Sequence, residues 1–434
     1  MSTIKFEKLS SETWALIKGP AKVEIKDGIV EVFGATLKTN DSFTVIGGRQ
    51  APMKCITNTE LMITLGENGS YEMVKEKLIP DDWDNAVNEI IKHPSPVVMI
   101  IGAVDTGKSG FALFLTNKLI ANGMCVAVID TDVGQSDIGP PGTISMTILT
   151  KQIPSFLDAK LIDAYFIGDK TPVGHLLPVV VGSHKMVKKA QALGANAIVI
   201  NTSGLTRGGV AMALKYHMIE TINPNILVAL QQNNESEHLL RPHTDIIKII
   251  RLKTPSHILK RNREERGDFR SFKLTKYLLN AKSITLDLNK TTLLNTTIKQ
   301  LPEDTFLKEI IKNTLHLDPA YAGSDGTSAV IVIDELLPQN QLEYINNILR
   351  SIGFEDVKII VPQLLKGLLL GLYDATKNFL GLGTLERLDL HKNTLTIKSH
   401  VSENDVVKIK YVYLGYLILN ETGIELKRLK PGIF

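Results

Sequence analysis

The chain has 434 residues and a mass of 47.8 kDa, which is too long for one ordinary hydrophobic core and predicts two or three domains of roughly 100–200 residues. Apolar residues make up 44% and charged residues 22%, a composition that excludes a disordered polymer and a membrane bundle. The net charge of +3 is too small to indicate a polyanionic partner by itself. Two cysteines cannot form a disulfide framework, so we expect a reducing environment.

The N-terminal residues lack the charged start, apolar stretch and cleavage site of a signal peptide. The most apolar later stretch, residues 359–375, is interrupted by Pro362, Lys366 and Asp374, whereas a membrane-spanning helix needs about 20 largely uninterrupted apolar residues. We therefore expect a soluble intracellular protein without a membrane partner, cytoplasmic by default and nuclear if its source is eukaryotic.

Short runs of alternating apolar and polar residues between Lys22 and Leu65 predict a small all-β domain at residues 1–78. Asp27-Gly28 lies between two such runs and predicts a two-residue hairpin, because both turn positions require positive φ. The segment from Pro80 to Pro96 begins with acidic residues, has apolar residues at helical spacing and ends in prolines, which predicts a short helix.

Strands and helices then alternate. Apolar runs at residues 97–101, 125–129, 197–200 and 226–230 predict buried strands, and residues 108–121 predict a helix. Near-continuous apolar strands separated by helices are typical of a parallel sheet covered on both faces. The tail returns to alternating strands, which predicts a mixed, partly β domain.

The segment from Gly102 to Ser109 matches the phosphate-binding pattern G-x-x-x-x-G-K-[ST] in full, after an apolar strand and at the start of a helix. Its backbone N–H groups and the positive helix end would face a phosphate, with Lys108 near the β/γ-phosphates and the Ser109 hydroxyl on Mg²⁺. The predicted nucleotide-binding residues are Gly102, Ala103, Val104, Asp105, Thr106, Gly107, Lys108 and Ser109. We expect Asp105 and Thr106 to contribute backbone N–H groups.

This motif sets the predicted fold class and domain limits. The chain is predicted to be an α/β protein with a central P-loop NTPase domain and parallel sheet at residues 79–318. The all-β domain at residues 1–78 and the mixed domain at residues 319–434 would flank it.

A second acidic motif, Asp130-Thr-Asp132-Val-Gly-Gln135, follows the next predicted strand. Carboxylates at the C-terminal end of a parallel strand point into the ligand crevice, where a Mg²⁺ contact or a base is needed. The Asn-Lys-x-Asp motif that selects guanine is absent, so we infer ATP. The residues by themselves leave open whether phosphate passes to a substrate or to water.

Four motifs in this order resemble the polynucleotide 5′-hydroxyl kinase family, which includes archaeal RNA/DNA kinases, the pre-mRNA cleavage-factor kinase subunit and nucleolar rRNA-processing kinases. These are the P-loop, Asp130 to Gln135 followed by Ile138-Gly-Pro-Pro-Gly142, Phe166-Ile-Gly-Asp-Lys-Thr-Pro172, and Ile200-Asn-Thr-Ser-Gly204 through Gly208. The resemblance extends to Gly28–Gly34 and, near the C-terminus, to Gly367–Asp374 and Phe379–Gly383.

The resemblance implies a role for each matching residue. Lys108 would bind phosphate, and Asp132 would orient or deprotonate the attacking 5′-hydroxyl. Ser109 and Asp130 would hold Mg²⁺, with Gln135 as an alternative support for the ion or its waters. The implied substrate-binding residues are Gln135, Thr171, Thr202 and Gly204. Leu205 stands where many relatives have a stacking Trp, which puts contacts to the terminal base in doubt.

Charge is concentrated between Arg241 and Lys276, which contain eleven Lys/Arg and four Asp/Glu. The centre of this segment resembles the family's arginine-bearing lid, and arginines can bind phosphate oxygens in a bidentate manner. Arg261, Arg263 and Arg266 are the candidate catalytic residues, with the phosphate contact unassigned among them. A solvated helix face is the alternative.

The leading hypothesis is an ATP- and Mg²⁺-dependent kinase that phosphorylates 5′-hydroxyl ends of RNA, and DNA as an open alternative, by direct in-line transfer. A second hypothesis is a non-catalytic ATP-binding scaffold in an RNA-processing complex. A third is an ATPase that uses the basic segment for binding only. Protein partners in RNA processing are also expected from the resemblance.

Overall fold

The computed structural model describes residues 2–433, except for the side chain of residue 315. The chain divides into two compact units, Met1–Tyr165 with Thr171–Arg270, and Phe166–Lys170 with Ser271–Phe434. The predicted three-domain division, with boundaries at 78 and 318, stays a prediction.

The N-terminal part of the first unit is a β-sandwich. Its strands are β1 (Thr3–Leu9), β2 (Trp14–Lys18), β3 (Ala21–Asp27), β4 (Ile29–Val32), β5 (Ala35–Lys38), β6 (Ser42–Val45), β7 (Gln50–Cys55), β8 (Thr59–Leu65) and β9 (Ser70–Val74). They form two sheets of order β1-β8-β3-β6 and β5-β4-β7-β2-β9. Alternating apolar residues from both sheets, such as Val23, Ile25, Val30 and Val32, share one core, as the period of two predicts.

The predicted hairpin at Asp27-Gly28 is wrong. Gly28 has the expected positive φ of 93°, but β3 and β4 belong to different sheets, so this turn carries the chain from one sheet to the other. The tight hairpin lies one strand later, where Val32 pairs with Ala35 around Phe33 and Gly34, both at positive φ. Burial of β3 and β4 on separate sheets overrode the local turn signal.

The central part of the first unit is an α/β layer structure. Its strands are β10 (Val97–Gly102), β11 (Val126–Asp130), β12 (Thr143–Leu149), β13 (Asp163–Phe166), β14 (Ala197–Asn201), β15 (Ile226–Gln231) and β16 (Lys248–Lys253). The helices are α1 (Asp81–Ile90), α2 (Lys108–Ala121), α3 (Leu176–Ala192), α4 (Gly208–Ile222) and α5 (Glu237–Leu240). Helix α6 (Arg263–Leu278) begins in this unit and continues past Arg270 into residues of the second unit.

The sheet order is β13-β12-β11-β14-β10-β15-β16. The prediction of a central parallel sheet is confirmed for β11, β14, β10, β15 and β16, which pair in parallel, while β12 runs antiparallel to β11. Strands β10, β11 and β14 are nearly or completely buried along their length. The carboxyl ends of these three neighbouring strands therefore meet at one edge, where an open α/β sheet binds its ligand.

The second unit contains most of the remaining strands and helices. The strands are β17 (Lys282–Asp287), β18 (Thr292–Leu294), β19 (Tyr321–Ser324), β20 (Ser328–Val332), β21 (Asp356–Ile360), β22 (Leu368–Tyr373), β23 (Phe379–Asp389), β24 (Thr394–Ser399), β25 (Tyr411–Leu419) and β26 (Glu425–Arg428). The helices are α7 (Thr305–Leu315), α8 (Gln339–Ser351) and α9 (Glu403–Val406). One sheet has the order β17-β24-β23-β22-β25-β18, with β26 on β25, and a smaller sheet is β19-β20-β21.

A buried ion pair fixes the start of the second unit. Asp169 is fully buried and accepts from Arg428, with Nε 2.9 Å from Oδ1 and Nη2 2.7 Å from Oδ2. Bidentate pairs of this kind fix geometry as well as charge. Part of the motif from Phe166 to Pro172 therefore serves to anchor the chain to β26.

Among residues 2–433, none of the helices has both the length and the apolar character required to cross a membrane.

Candidate active site

The P-loop connects the central strand β10 to α2. Its backbone requires glycine at two places: a Cβ on Gly102 would lie 2.5 Å from the Leu230 carbonyl oxygen, and Gly107 has a φ of 94° at the N-cap of α2. The helix begins at Lys108, so its free N–H groups and positive end point toward the loop. This local structure suits an anionic ligand.

Lys108 is buried, and its ammonium Nζ donates to the carbonyl oxygen of Ala103 at 2.6 Å. Burial lowers the pKa of Lys108 to about 8, while the charges of Asp132 and Asp105 oppose that shift. An anion bound beside Lys108 would therefore favour the charged form of the lysine. The Thr106 hydroxyl donates to the same carbonyl at 2.9 Å.

A cluster of oxygen-bearing side chains lies where β10, β11 and β14 end. The Asn201 amide nitrogen Nδ2 is 3.2 Å from the Ser109 hydroxyl and 3.3 Å from Asp130 Oδ1. The Asn201 oxygen Oδ1 is buried and has no hydrogen-bond partner among the described residues. Asn201 is a site residue that sequence reasoning missed; the signal that could have found it is its place at the end of the strand neighbouring Asp130.

The Asp130 carboxylate is held by its own chain. It accepts from the backbone N–H of Asp132 at 3.1 Å and of Asp137 at 2.8 Å. Burial raises the pKa of Asp130 to about 7, and the charges of Asp137 and Asp132 add to the effect. A cation beside Asp130 would favour the ionised form of this carboxylate.

Asp132 lies just beyond β11, half-buried. Its Oδ1 accepts from the N–H groups of Gly134 and Gln135, each at 3.1 Å, which fixes the carboxylate. Its Oδ2 has no hydrogen-bond partner among residues 2–433. An oriented carboxylate oxygen with an open position can accept a proton from a hydroxyl.

The basic segment folds onto the P-loop through two of its arginines. The backbone N–H of Arg261 and the Nη2 of Arg266 both donate to Asp105 Oδ2, at 3.1 and 2.6 Å. Burial lowers the pKa of Arg261, and the charge of Arg49 adds to this. The Asp105 side chain thus contacts the basic segment, and the backbone N–H contribution expected of this residue stays a prediction. Arg263 is exposed and forms no hydrogen bond or ion pair with the described residues.

Gln135 joins the acidic motif to the same segment. Its Nε2 donates to the Arg266 carbonyl oxygen at 3.0 Å, and its Oε1 accepts from Arg261 Nη1 at 3.2 Å. The structure thus places Gln135 at the base of the arginine-bearing segment. We call residues 255–270 the lid from here on.

Two residues of the sandwich also contact the site, and sequence reasoning missed both. Arg49 forms an ion pair with Asp137, and its guanidinium carbon lies 4.4 Å from the ring centroid of Phe269. Gln50 donates to the His257 carbonyl oxygen. No local sequence pattern around Arg49 or Gln50 predicts these contacts, because they depend on how the sandwich packs in the first unit.

A cavity of about 110 Å³ lies between the sandwich and the start of α2. Its lining includes Phe33, Arg49, Gln50, Ser109, Gly110 and Phe156. A Cβ on Gly110 would lie 3.0 Å from the ring of Phe33, so the glycine allows this close approach. The cavity adjoins the hydroxyl of Ser109 and therefore continues from the P-loop.

The loop after β14 packs directly on the P-loop. A Cβ on Gly204 would lie 2.8 Å from both the N and the Cα of Val104. The Thr202 hydroxyl is buried and donates to the Ile100 carbonyl oxygen at 2.7 Å. Thr171 lies before α3, and its hydroxyl accepts from the N–H of Val173 at 3.2 Å. In the described residues, no hydrogen bond joins Thr171 to the P-loop or to Asp132.

Comparisons with known proteins show which family this chain resembles. Residues 102–280 match the family described as mRNA cleavage and polyadenylation factor CLP1 P-loop. The chain is 30% identical to a polyribonucleotide 5′-hydroxyl-kinase of Methanocaldococcus jannaschii over 352 residues, covering 80% of this chain and 94% of that protein. A polyribonucleotide 5′-hydroxyl-kinase of Pyrococcus abyssi is 30% identical over 349 residues, covering 80% and 95%.

The fold has a counterpart among solved structures. In a structure of a wild-type Clp1p–Pcf11p complex, one chain aligns with a TM-score of 0.64 at 14% identity, covering 95% of this chain and 97% of that one. At this identity the likeness shows a shared fold. It agrees with the predicted α/β architecture with flanking β structure.

Proposed function

The chain belongs to the family of polyribonucleotide 5′-hydroxyl-kinases, and we propose that it transfers the γ-phosphate of ATP to the 5′-hydroxyl end of RNA. The observation that carries the proposal is the oriented carboxylate of Asp132, with an open oxygen, in the same site as a complete P-loop. Asp132 also acts on the charge of Lys108. A phosphate donor site and an acceptor for a hydroxyl proton are thus close enough to interact.

The P-loop binds the triphosphate. Its N–H groups and the positive end of α2 hold the phosphates, and Lys108 moves its hydrogen bond from the Ala103 carbonyl to a phosphate oxygen. The cavity beside Ser109 is the proposed position of the nucleoside of ATP, with the Phe33 ring as an apolar wall, and it must widen from about 110 Å³ to hold it. This arrangement leaves the γ-phosphate between the P-loop and the acidic motif.

Side chains at the start of α2 and at the ends of β11 and β14 fit Mg²⁺. The Ser109 hydroxyl, Asp130 and the unpartnered Asn201 oxygen are hard oxygen donors, and the raised pKa of Asp130 indicates a site that gains from a cation. Among residues 2–433 no group of three His, Cys, Asp or Glu side chains could hold a metal ion. The proposed ion is therefore shared with ATP phosphates and water, and when bound it neutralises phosphate charge.

Transfer of the γ-phosphoryl group requires the 5′-hydroxyl to be aligned with the γ-phosphorus. Asp132 accepts the proton of the 5′-hydroxyl as its oxygen bonds to the γ-phosphorus, and the bond to the β-phosphate oxygen breaks to release ADP. Arg261 and Arg266 stabilise charge on the phosphoryl group that is transferred. The exposed Arg263 is proposed to contact the RNA strand. No phosphoenzyme is needed.

The remaining predicted substrate-binding residues position the loops around the site. Gly204 and Thr202 keep the loop after β14 against the P-loop, and Gln135 holds the lid. Thr171 is proposed to contact the strand from the loop before α3. Leu205 offers no aromatic face, so we expect weak selection of the terminal base and acceptance of DNA as well as RNA ends.

ATP and RNA ends occur together inside cells, so we place the activity there, in the nucleus if the source is eukaryotic. Partner proteins in RNA processing stay a prediction. The scaffold alternative is not favoured, because the relatives that match over most of their length are kinases by name.

The test is transfer of labelled γ-phosphate from ATP and Mg²⁺ to a 5′-hydroxyl RNA oligonucleotide and to its DNA counterpart. We expect the wild type to label the 5′ end. Lys108→Ala and Asp132→Asn should each lower kcat/KM by about 100-fold or more, because phosphate binding and proton acceptance are lost. Asp245→Asn, an exposed aspartate of the same unit, is the matched control and should retain full activity.

The outcomes separate the three hypotheses. An Asp132→Asn variant that labels RNA at the wild-type rate would remove Asp132 from the mechanism. A wild type that binds ATP but labels neither strand would contradict the kinase. Phosphate release without labelling would then indicate an ATPase, and no release a scaffold.

A further inference from the structure

The side chain of Asp105 reaches from the P-loop to the lid. Its carboxylate is 9% exposed and meets three groups of the lid: the Arg261 N–H, the Arg261 guanidinium at 3.6 Å and the Arg266 guanidinium at 2.6 Å. Charge-assisted contacts of this kind are about twice as strong as neutral hydrogen bonds. One carboxylate therefore ties both candidate arginines to the loop that binds phosphate.

The backbone supports this arrangement. Asp105 has a φ of 55°, in the left-handed region that Asp and Asn tolerate better than most residues. The lid is held at a second point by Gln135, which bonds to the same two arginines. The Nε of Arg266 is buried and has no hydrogen-bond partner among the described residues. The closed lid thus keeps one arginine donor for a further acceptor.

We propose that Asp105 is a positioning residue for phosphoryl transfer, whose carboxylate holds the lid closed so that Arg261 and Arg266 face the transferring phosphate. This inference rests on the proposed kinase function. Asp105 touches no reacting atom; it acts through the two arginines. The Arg266 side chain is 28% exposed, so part of its guanidinium stays accessible to a phosphate oxygen.

The first measurement follows lid closure without using activity. Asp105→Asn keeps the size and the left-handed preference of the residue and removes its charge. In nucleotide-free protein we expect hydrogen–deuterium exchange of residues 257–270 to rise about fivefold or more, because the charged contacts that resist local opening are lost. The matched control, Asp245→Asn, should leave exchange unchanged.

The second measurement is a double-mutant cycle on labelling of 5′-hydroxyl RNA. Asp105→Asn and Arg266→Met should each lower kcat/KM for ATP by about tenfold or more, and the loss in the double variant should be smaller than the product of the two single losses. A purely structural effect of Asp105 would instead multiply with the effect at Arg266. Equal melting temperatures of the variants confirm that they fold.

Three results would overturn the proposal: lid exchange unchanged in Asp105→Asn, activity within about twofold of wild type, or multiplicative losses in the double variant. If the wild type labels no RNA, the proposed function fails. The exchange experiment would still decide whether Asp105 holds the lid.

Discussion

Lys215 is a fully buried lysine on α4, close enough to Lys108 and Asp132 of the active site for their charges to affect its pKa. Its Nζ donates to the Ser203 carbonyl oxygen at 3.0 Å, and it has no ion-pair partner in the described part of the chain. Burial lowers the pKa of Lys215 to about 7, and the charge of Lys108 adds to this while Asp132 opposes it. The proposed phosphate site thus contains two buried lysines, Lys108 and Lys215. Their burial lowers the free energy of unfolding of the protein without nucleotide.

The decrease in the free energy of unfolding caused by burying Lys215 should depend on pH. The ordinary lysine pKa is 10.5 and the folded value is about 7, so between these values the unfolded chain binds more protons than the folded chain. The free energy of unfolding should therefore rise with pH across this window in the wild type relative to Lys215→Met. Urea unfolding of nucleotide-free protein measures it, followed by the fluorescence of Trp14 and Trp83, which both lie in the first unit.

The matched control is Lys260→Met, which removes an exposed lysine of the same unit. The rise of the free energy of unfolding with pH should persist in Lys260→Met, because Lys215 is intact there. A rise that persists equally in Lys215→Met would show that the buried lysine does not carry the lowered pKa.

At the scale of elements, three strand ends build the site. The order β11-β14-β10 puts Asp130, Asn201 and the P-loop side by side, although about 70 residues separate Asp130 from Asn201. The loop after β14 then lies on the P-loop at Gly204, where the main chain of Val104 leaves no space for a Cβ. The spacing of these two loops is therefore set by a glycine.

Gly204→Ala should displace the P-loop. Its Cβ would lie 2.8 Å from the main chain of Val104, and a shift of even about 1 Å at a reacting centre can cost about 100-fold in rate. We expect kcat/KM for ATP to fall by about tenfold or more in the RNA-labelling assay. Gly209→Ala is the control, because nothing lies within 4 Å of a Cβ there and it is on helix α4. Equal activities of the two variants would contradict the close contact at Gly204.

At the scale of the whole molecule, part of the charge of the basic segment is paired with carboxylates of the protein. Arg251 pairs with Glu237 at 2.8 Å and Lys248 pairs with Glu89, while Arg261 and Arg266 are bound to Asp105. Lys260 and Arg263 are exposed and form no ion pair with the described residues. These two side chains therefore present unpaired positive charge to a polyanion.

Binding of RNA should accordingly depend on Lys260 and Arg263. Replacing either with Gln should weaken binding of a 5′-hydroxyl RNA oligonucleotide and reduce the steepness of its salt dependence by about 0.7 per lost phosphate contact. The KM for ATP should stay unchanged. Fluorescence anisotropy between about 50 and 200 mM salt measures the slope.

Arg251→Gln provides the comparison, because that arginine already has a carboxylate partner. We expect its salt dependence to match the wild type. Variants at Lys260 and Arg263 that do the same would contradict an RNA-binding role for the exposed part of the lid.

The amino-acid sequence determined the parts that depend on neighbours along the chain. Val97–Gly102, the glycines of the P-loop and the helix from Lys108 follow from apolar runs and phosphate-loop spacing, and the structure has them at those places. The family was also visible in the order of its motifs. Local hydrophobicity, φ preferences and helix ends produce these features, so one sequence suffices to predict them.

Tertiary structure decided what depends on residues far apart. Strand order brought Asn201 to Asp130, and sandwich packing brought Arg49 to Asp137. Asp105 acquired its partners only when the lid folded onto the P-loop, about 160 residues along the chain. The Asp27-Gly28 signal failed for the same reason, since burial of two strands on different sheets outweighed a local turn. Contacts between distant residues arise from packing of whole elements, and spacing along the sequence does not encode them.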